Sequence, residues 1–263
     1  MNSWHRILGR VAFVNCDPLY HQLPPSWNVL PAPPSWLTGH LLRKDCLIAP
    51  IPTADFAKYS DQLQLLPDIC IGSHGTVGSV LLFGDRDPAQ MRDIALPTDS
   101  ATSRKLCMWI LGEMGLNPRP VDMGPDLGPM LKRCDGALLI GDRALDEAAN
   151  NPELVRMDLG QAWLELTGFP MVFAVFAAHK DAPTDALIDA HKLLINQHHK
   201  FLNNSKYYDS VIDSTSKRSG FSQSRIQKYF HEVVHSLDEH GELGLNYFLQ
   251  HVCGVDSYER VEL

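Results

Sequence analysis

The sequence lacks several features that would place the protein in a specialised class. It has no run of about 18 apolar residues, the length of a membrane-spanning helix, and residues 1–10 lack the apolar core of a secretory signal, so we expect a cytoplasmic protein. Its 6 cysteines form no C-x-x-C pair, which favours reduced core thiols over a disulfide framework or a zinc site. The net charge is −8 and no large basic cluster occurs, so we expect no nucleic-acid partner.

The chain does contain enough apolar material for one large or two moderate domains, with 263 residues of which 44% are hydrophobic. Two apolar stretches organise it, residues 70–84 (CIGSHGTVGSVLLFG) and residues 169–178 (FPMVFAVFAA). Both are rich in β-branched and aromatic residues and are bounded by glycine, proline or charged residues. This pattern is typical of buried strands.

The segment between these stretches has its own alternation of strand-like and helix-like patterns, which predicts a separate α/β lobe. We therefore expect lobe I to comprise residues 1–84 with 178–263, and lobe II to comprise residues 85–177. The two apolar stretches would be crossover strands that join the lobes across a cleft, where small ligands commonly bind. The alternative for residues 70–84 is a glycine-rich buried strand with bulges.

Two polar residues follow predicted strands of the first lobe. The first strand ends in a turn at Asn15, and Asp17 followed by Pro18 predicts the start of a helix. Thr53 follows the strand predicted for residues 46–52, and the strand, helix, strand spacing is typical of a parallel sheet. Ligands of open α/β sheets bind at this carboxyl edge. Asn15 therefore either contacts a ligand or, as a turn residue, hydrogen-bonds its own backbone.

Two helix starts in the second lobe are also candidate binding positions. Ser100, Thr102 and Ser103 stand at the start of an amphipathic helix, where hydroxyls, free backbone N–H groups and the helix dipole suit a carboxylate. Plain N-capping, which needs only one hydroxyl, is the alternative. Gly141 and Asp142 open another helix after a predicted strand, and Asp142 either caps that helix or supplies polar chemistry at the cleft.

Residues 184–263 are predicted to be helices with polar breaks, and we expect this tail to pack on lobe I. One predicted helix, residues 224–237, contains H-E-V-V-H from His231 to His235, the pattern of zinc peptidases. Helical phase places both histidines away from the apolar stripe, so we expect them to face solvent and to bind no metal. A metallopeptidase is therefore an unfavoured alternative function.

Several blocks of the sequence are weak alone but specific in combination. They are GRVAFVNCDPLY at 9–20, LPDICIG at 66–72, VGSVLLF at 77–83, GALLIGD at 136–142, DLGQAW at 158–163, TG at 167–168 and VFAV at 172–175. Together they resemble the chorismate dehydratases of the futalosine route to menaquinone, and the likeness covers nearly the whole chain.

The resemblance implies an α/β, two-lobed type II periplasmic-binding-protein-like fold with two crossover hinge strands and a helical C-terminal tail. It also implies a hydro-lyase, which removes a ring hydroxyl and a ring proton from chorismate to give 3-[(1-carboxyvinyl)oxy]benzoate. The family is understood to need no metal or organic cofactor. Aromatisation supplies a large driving force, so the site has mainly to position a dicarboxylate and help water to depart.

The resemblance also implies which residues act. Asn15 matches the family's asparagine after the first strand and is the predicted catalytic residue. The sister enzyme of the pathway carries a histidine base at the position of Gly141, which leaves Asp142, a water molecule or the substrate's own enolpyruvyl carboxylate to take the proton; our hypothesis is the last. The predicted substrate-binding residues are Thr53, Ser79, Ser100, Thr102, Ser103, Gly141 and Asp142.

The main alternative function is a cytoplasmic small-anion binding module, because solute receptors and effector-sensing domains use the same two-lobed scaffold. We expect neither use, because residues 1–263 show no pattern of an export signal or of an added helix-turn-helix region. The expected partner is a small dicarboxylate, with neither nucleic acid nor membrane, and the sequence leaves the oligomeric state open.

Overall fold

The computed structural model describes residues 4–263, which fold into two mixed β-sheets with helices packed around them. The strands, in chain order, are β1 (Ile7–Val11), β2 (Asn28–Ala32), β3 (Ile48–Pro52), β4 (Leu63–Ser73), β5 (Val80–Gly84), β6 (Asp93–Pro97), β7 (Arg119–Met123), β8 (Gly136–Ile140), β9 (Val155–Asp158), β10 (Met171–His179) and β11 (Val234–Leu237). The helices are α1 (Asp17–Tyr20), α2 (Pro34–Leu42), α3 (Thr53–Lys58), α4 (Ala101–Glu113), α5 (Leu127–Arg133), α6 (Gly141–Asn150), α7 (Leu159–Thr167), α8 (Thr184–Asn203), α9 (Ser205–Ser219), α10 (Gln223–Glu232) and α11 (Glu239–Tyr247). Short helical turns lie at Trp4–Arg6, Val14–Cys16, Pro88–Gln90, Pro152–Leu154 and, in π-helical form, Phe248–Val252.

The six-stranded sheet has the strand order β11-β4-β10-β3-β1-β2. β1 is parallel to both β2 and β3, whereas β10 is antiparallel to β3 and β4, and β11 is antiparallel to β4. The parallel strands β1 and β3 end at the same edge of the sheet. The turn that contains Asn15 and the start of α3 at Thr53 are therefore close to this edge.

The five-stranded sheet has the order β7-β6-β8-β5-β9, with β6 parallel to β7 and β8, and β5 antiparallel to β8 and β9. Both faces of β5 are covered: Leu82 packs into the large core that extends through both sheets, and Leu81 and Phe83 pack into a second core on the opposite face. This two-sided burial explains why the strand is apolar throughout.

The observed connections between the two sheets do not coincide with the predicted crossover strands. Residues 70–84 are interrupted by a loop, since Gly75 and Gly78 have φ angles of +133° and +67° that a continuing strand cannot contain. The loop at 74–79 leads from β4 in the six-stranded sheet to β5 in the five-stranded sheet, and α7 with the segment after it leads back to β10. β5, which we assigned to lobe I, therefore pairs in the five-stranded sheet, and β10, which we assigned largely to lobe II, pairs in the six-stranded sheet.

A single carboxylate holds the two connections together. Asp158 accepts hydrogen bonds from the backbone N–H groups of Val77 and Gly78 in the outgoing loop, the latter at 2.7 Å. It also caps α7 by accepting from the N–H groups of Gly160 and Gln161 at 2.9 and 3.1 Å. Both connections between the sheets are thus held by one half-buried side chain.

The tail is helical in α8 to α11, and α8 and α9 pack against α1. The predicted helix at 224–237 is wrong beyond Glu232, because the chain leaves α10 at Val233 and continues as β11 beside β4. His231 is exposed on the helix, but His235 is buried on the sheet, so the two histidines are not one helical turn apart. Within residues 4–263, no helix has both the length and the hydropathy to cross a membrane.

Candidate active site

A cavity is lined by residues from both sheets. Five of the predicted site residues line it: Asn15, Ser79, Ser100, Ser103 and Gly141. The rest of the wall is largely apolar and consists of Val11, Phe13, Pro34, Pro52, Ile71, Val77, Val80, Ile140, Phe173, Ala174, Tyr229 and Val233.

Several helices begin at the wall of this cavity. Pro34 is the first residue of α2, and Pro52 is the N-cap residue of α3. Ser100 is the N-cap residue of α4, and Gly141 is the first residue of α6. The N-terminal end of a helix has free N–H groups and a partial positive charge. The wall therefore suits an anionic ligand, although the chain as a whole is acidic.

Ser79 is held by a tyrosine from the tail. The Tyr229 hydroxyl donates to Ser79 Oγ at 2.9 Å, and both side chains are buried. Since Ser79 Oγ accepts this bond, its own proton is left to donate to a ligand. Burial raises the pKa of Tyr229, which keeps the hydroxyl protonated and in the donor role.

Ser100 and Ser103 form a second hydroxyl pair at the start of α4. Ser100 caps the helix, since its Oγ accepts from the N–H of Ser103 at 3.4 Å, and it donates to Ser103 Oγ at 2.9 Å. N-capping and ligand binding, the two interpretations of residues 100–103, therefore apply to different residues. Ser100 does the capping, and Ser103 is left with a proton that it can donate to a ligand.

Thr53 and Thr102 do not line the cavity, although both were predicted to bind substrate. Thr53 is fully buried and donates to the carbonyl of Val172 at 2.7 Å. The Thr102 hydroxyl oxygen accepts from the N–H of Ala54 at 3.0 Å and so joins α4 to α3. Thr53 gives its proton to the backbone, and Thr102 keeps its proton but does not line the cavity, so the geometry favours a structural role for these threonines.

Asn15 lies in the turn Val14–Cys16, directly after β1. Its side-chain oxygen Oδ1 is buried and has no hydrogen-bond partner within residues 4–263. An unpaired buried acceptor costs about 1–3 kcal/mol, so this atom has capacity to accept a hydrogen bond from outside the chain. Oδ1 does not bond the backbone of its own turn, and contact with a ligand stays a prediction.

Position 141 needs a glycine, because the space beside its Cα is filled by Phe13. Its φ angle is +61°, and a Cβ atom at this position would stand 2.5–2.7 Å from ring atoms of Phe13. Its N–H donates to the carbonyl of Ser79 at 2.7 Å, which holds the start of α6 against the outgoing connection. No side chain, and therefore no histidine base, fits at this position without displacing the Phe13 ring.

Asp142 does not cap its own helix and does not line the cavity. Its carboxylate accepts from the N–H of Val14 at 3.0 Å, which ties α6 to the Asn15 turn. Burial raises the pKa of Asp142, and the hydrogen bond from Val14 and the charges of Arg218 and Arg10 counter only part of this effect. The Asp142 carboxylate therefore serves to join α6 to the turn that follows β1.

The prediction that a helix starts at Asp17 is confirmed. α1 begins at Asp17 itself, and the buried carboxylate pairs with Arg10 and with Arg218, the latter at 2.7 Å. The hydroxyl of Thr215 donates to it at 2.7 Å. This cluster fastens β1 and α1 to the tail helix α9, behind the Asn15 turn.

The contribution of the tail to the cavity was not predicted from the sequence. Tyr229 and Val233 line it, and the imidazole of His235 donates to the backbone carbonyl of Asn15 at 2.6 Å. In the sequence these residues follow the pattern of an ordinary amphipathic helix. The one available signal is the tyrosine on the apolar stripe, since a buried tyrosine hydroxyl usually has a hydrogen-bond partner.

The H-E-x-x-H segment does not form a metal site. The described residues, 4–263, contain no group of three or more histidine, cysteine, aspartate or glutamate side chains placed to hold a metal ion. Among the residues that line the cavity in this part of the chain, Tyr229 is the one with an ionisable side chain.

The two sheets and their connections give a periplasmic-binding-protein-like fold, and solved structures agree with this fold class. An Archaeoglobus fulgidus protein matches with a TM-score of 0.71 at 14% identity, over 97% of this chain and 99% of that one. A Candida albicans gene product with the generic periplasmic binding protein structural fold matches with a TM-score of 0.67 at 14% identity, over 98% and 97%. The alkanesulfonate-binding protein SsuA from Xanthomonas axonopodis pv. citri matches with a TM-score of 0.65 at 13% identity, over 88% and 84%.

Sequence comparison is more specific than the fold. A family model described as menaquinone biosynthesis matches residues 7–253. The chorismate dehydratase of Thermus thermophilus is 31% identical over 261 residues, which cover 93% of this chain and 94% of that protein. The chain belongs to this menaquinone biosynthesis family.

Proposed function

We propose that this protein is a chorismate dehydratase, which converts chorismate to 3-[(1-carboxyvinyl)oxy]benzoate in menaquinone biosynthesis. Its family membership and its relative from Thermus thermophilus support this activity. The structural observation that carries the proposal is the unpaired Oδ1 of Asn15 in a cavity with two serine hydroxyl donors, Ser79 and Ser103. Chorismate has the complementary groups, namely two carboxylates and one ring hydroxyl.

The reaction is an elimination in which no oxidant or reductant is needed. The C–H bond at the ring carbon that carries the ether oxygen breaks, and so does the C–O bond of the neighbouring ring hydroxyl. The proton and the hydroxide leave as water, and the electron pair of the C–H bond completes the aromatic ring. Since aromatisation drives the reaction, the site contributes mainly by orientation and by stabilising charge.

The binding roles follow from the donors in the cavity wall. Ser79 and Ser103 each have a proton to donate to a carboxylate, and the N-terminal ends of α2, α3, α4 and α6 add partial positive charge. The apolar wall, including Phe13 and Phe173, packs against the ring. Asn15 Oδ1 accepts the hydrogen of the ring hydroxyl and so orients the leaving group.

The proton acceptor in this proposal is the enolpyruvyl carboxylate of the substrate. Asp142 holds the N–H of Val14 and lies off the cavity lining, and Gly141 leaves no room for a basic side chain. Tyr229 is a poor base because burial raises its pKa. The substrate carboxylate is attached through the ether to the carbon that loses the proton, so it is within reach of that proton.

The test is to mix the purified protein with chorismate and to follow formation of the aromatic product. Asn15→Ala should reduce turnover by about 100-fold or more, since it removes the group that orients the leaving hydroxyl. Asn203→Ala, on the exposed face of α8, is the control and should be as active as the wild type. Full turnover by a folded Asn15→Ala protein would remove Asn15 from the mechanism. Chorismate binding without product formation by the wild type would indicate the alternative function, a small-anion binding module.

We also propose that the protein acts in the reducing environment of the cytoplasm. All 6 cysteines are free thiols and five of them are buried. Burial raises the pKa of Cys16, Cys46 and Cys107 to about 12, so these thiols are protonated and unreactive. Cell fractionation with an antibody against the protein would test this location.

A further inference from the structure

The turn that carries Asn15 has few internal hydrogen bonds. It is a single helical turn, Val14–Cys16, in which the N–H of Cys16 donates to the carbonyl of Phe13 at a long 3.5 Å and the N–H of Asp17 donates to the carbonyl of Val14. With so few internal bonds, the orientation of the turn also depends on other parts of the chain.

Two distant side chains hold this turn at two of its peptide groups. Asp142 accepts from the N–H of Val14 at 3.0 Å, and His235 Nε2 lies 2.6 Å from the carbonyl oxygen of Asn15. A carbonyl can only accept, so Nε2 of His235 is the donor. The tighter of the two contacts thus comes from the tail, at the residue that we propose to be catalytic.

The position of His235 in the sheet explains how it reaches the turn. β11 pairs with β4, and the register shifts between Val234 and Ser236, on either side of His235. Such irregularities redirect side chains and are common beside active sites. The His235 side chain is 3% exposed, and burial, with the neighbouring His198, lowers its pKa to about 4. At neutral pH it is therefore an uncharged imidazole with its hydrogen on Nε2.

The side chain of Asn15 depends on this backbone contact. Its Oδ1 has no partner within residues 4–263, so hydrogen bonding in the protein does not orient it. Its direction is set by the backbone of the turn, and a rotation of the Asn15 peptide group would move the amide relative to the ring of the substrate. Displacements of about 1 Å can cost about 100-fold in rate.

We propose that His235 is a positioning residue, which holds the carbonyl of Asn15 and thereby fixes the direction of the Asn15 side chain in the cavity. This inference rests on the proposed dehydratase function. If His235 merely filled the core, a ring of similar shape without a hydrogen-bond donor could replace it. The test separates this role from the positioning role.

The test compares two substitutions of His235. His235→Phe keeps a ring of similar shape but has no donor, and His235→Gln provides an N–H at a similar distance from the backbone. We expect His235→Phe to lower kcat about 10- to 100-fold with KM for chorismate changed less than about threefold, and His235→Gln to recover kcat to within about fivefold. His198→Phe is the matched control, because His198 is also buried and its ring lies 5.6 Å from that of His235. It should keep kcat within about twofold of the wild type.

Thermal unfolding and hydrogen exchange complete the experiment. Exchange in a peptide that spans Val14–Cys16 should be faster in His235→Phe than in His235→Gln, while both proteins remain folded. A folded His235→Phe with wild-type kcat and exchange would overturn the positioning role, and so would a kcat loss that Gln does not restore. If the wild type fails to convert chorismate, the proposed function is wrong, and the exchange comparison alone decides whether His235 holds the turn.

Discussion

Adding one methyl group at Gly141 should impair both stability and catalysis. Gly141 has a φ angle of +61°, and its Cα is so close to Phe13 that a Cβ would stand 2.5–2.7 Å from three ring atoms. Phe13 and Gly141 both line the cavity. Gly141→Ala therefore forces the ring to move at the wall against which the substrate packs.

The loss of stability in Gly141→Ala has two causes. A left-handed backbone costs a residue with a side chain about 1–2 kcal/mol. Overpacking at a filled site adds about 1–3 kcal/mol. The free energy of unfolding should therefore fall by about 2–5 kcal/mol, and turnover should fall because the ring moves into the substrate's space.

Gly220→Ala is the control for the cost of the left-handed backbone alone. Gly220 has a similar φ angle of +81°, but a Cβ there would meet nothing within 4 Å among the described residues. Urea unfolding should give a loss of about 1–2 kcal/mol for Gly220→Ala and a larger loss for Gly141→Ala, with chorismate turnover reduced only in the latter. Equal losses in stability together with unchanged turnover would refute the tight contact with Phe13.

Three further predictions test other parts of the structure. Ser79→Ala and Ser103→Ala should each raise KM for chorismate about 10- to 100-fold in steady-state assays, since each removes a hydrogen bond to a charged group; an unchanged KM in both would exclude carboxylate binding by these hydroxyls. Asp158→Ala should lower the free energy of unfolding by about 2–4 kcal/mol in urea titration, because it removes a helix cap and the acceptor for the outgoing loop; a loss below about 0.5 kcal/mol would contradict this. Because the pKa of His235 is about 4 in the folded protein and 6.5 is its ordinary value, the unfolded chain takes up a proton first as pH falls. The contribution of His235 is complete above about pH 6.5 and should decline by up to about 3 kcal/mol towards pH 4. His235→Gln should lack this decline, and identical stability profiles for the two proteins would show that the imidazole is not buried in its neutral form.

The cavity residues that the sequence predicted are those at strand ends and helix starts. Asn15 follows β1 of the six-stranded sheet, and Ser103 and Gly141 follow β6 and β8 of the five-stranded sheet. They were found because ligands of α/β sheets bind at the carboxyl ends of parallel strands, whatever the details of packing. Thr53 occupies the same kind of position, yet its hydroxyl turns to the carbonyl of Val172. Strand and helix boundaries predict the neighbourhood of a side chain, whereas its direction depends on the backbone groups that pack around it.

The tail shows where sequence patterns fail. Val233 to Leu237 continue a helical pattern of apolar residues, but the open edge of β4 offers backbone hydrogen bonds that a strand can use. Pairing with that edge buried His235 instead of exposing it, and it brought the tail to the cavity. A local pattern carries no information about an unpaired strand edge elsewhere in the chain.

The sequence by itself determined the α/β class, the positions of most strands and helices, the family resemblance and the cluster of small and hydroxyl residues at helix starts, because these follow from local periodicity and short motifs. Only the tertiary structure decided that the glycines at 75 and 78 form a loop between sheets, that Asp142 and His235 hold the Asn15 turn, and that Tyr229 directs Ser79. These contacts join residues far apart in the chain, and the donor or acceptor role of each group depends on which partner the fold brings to it.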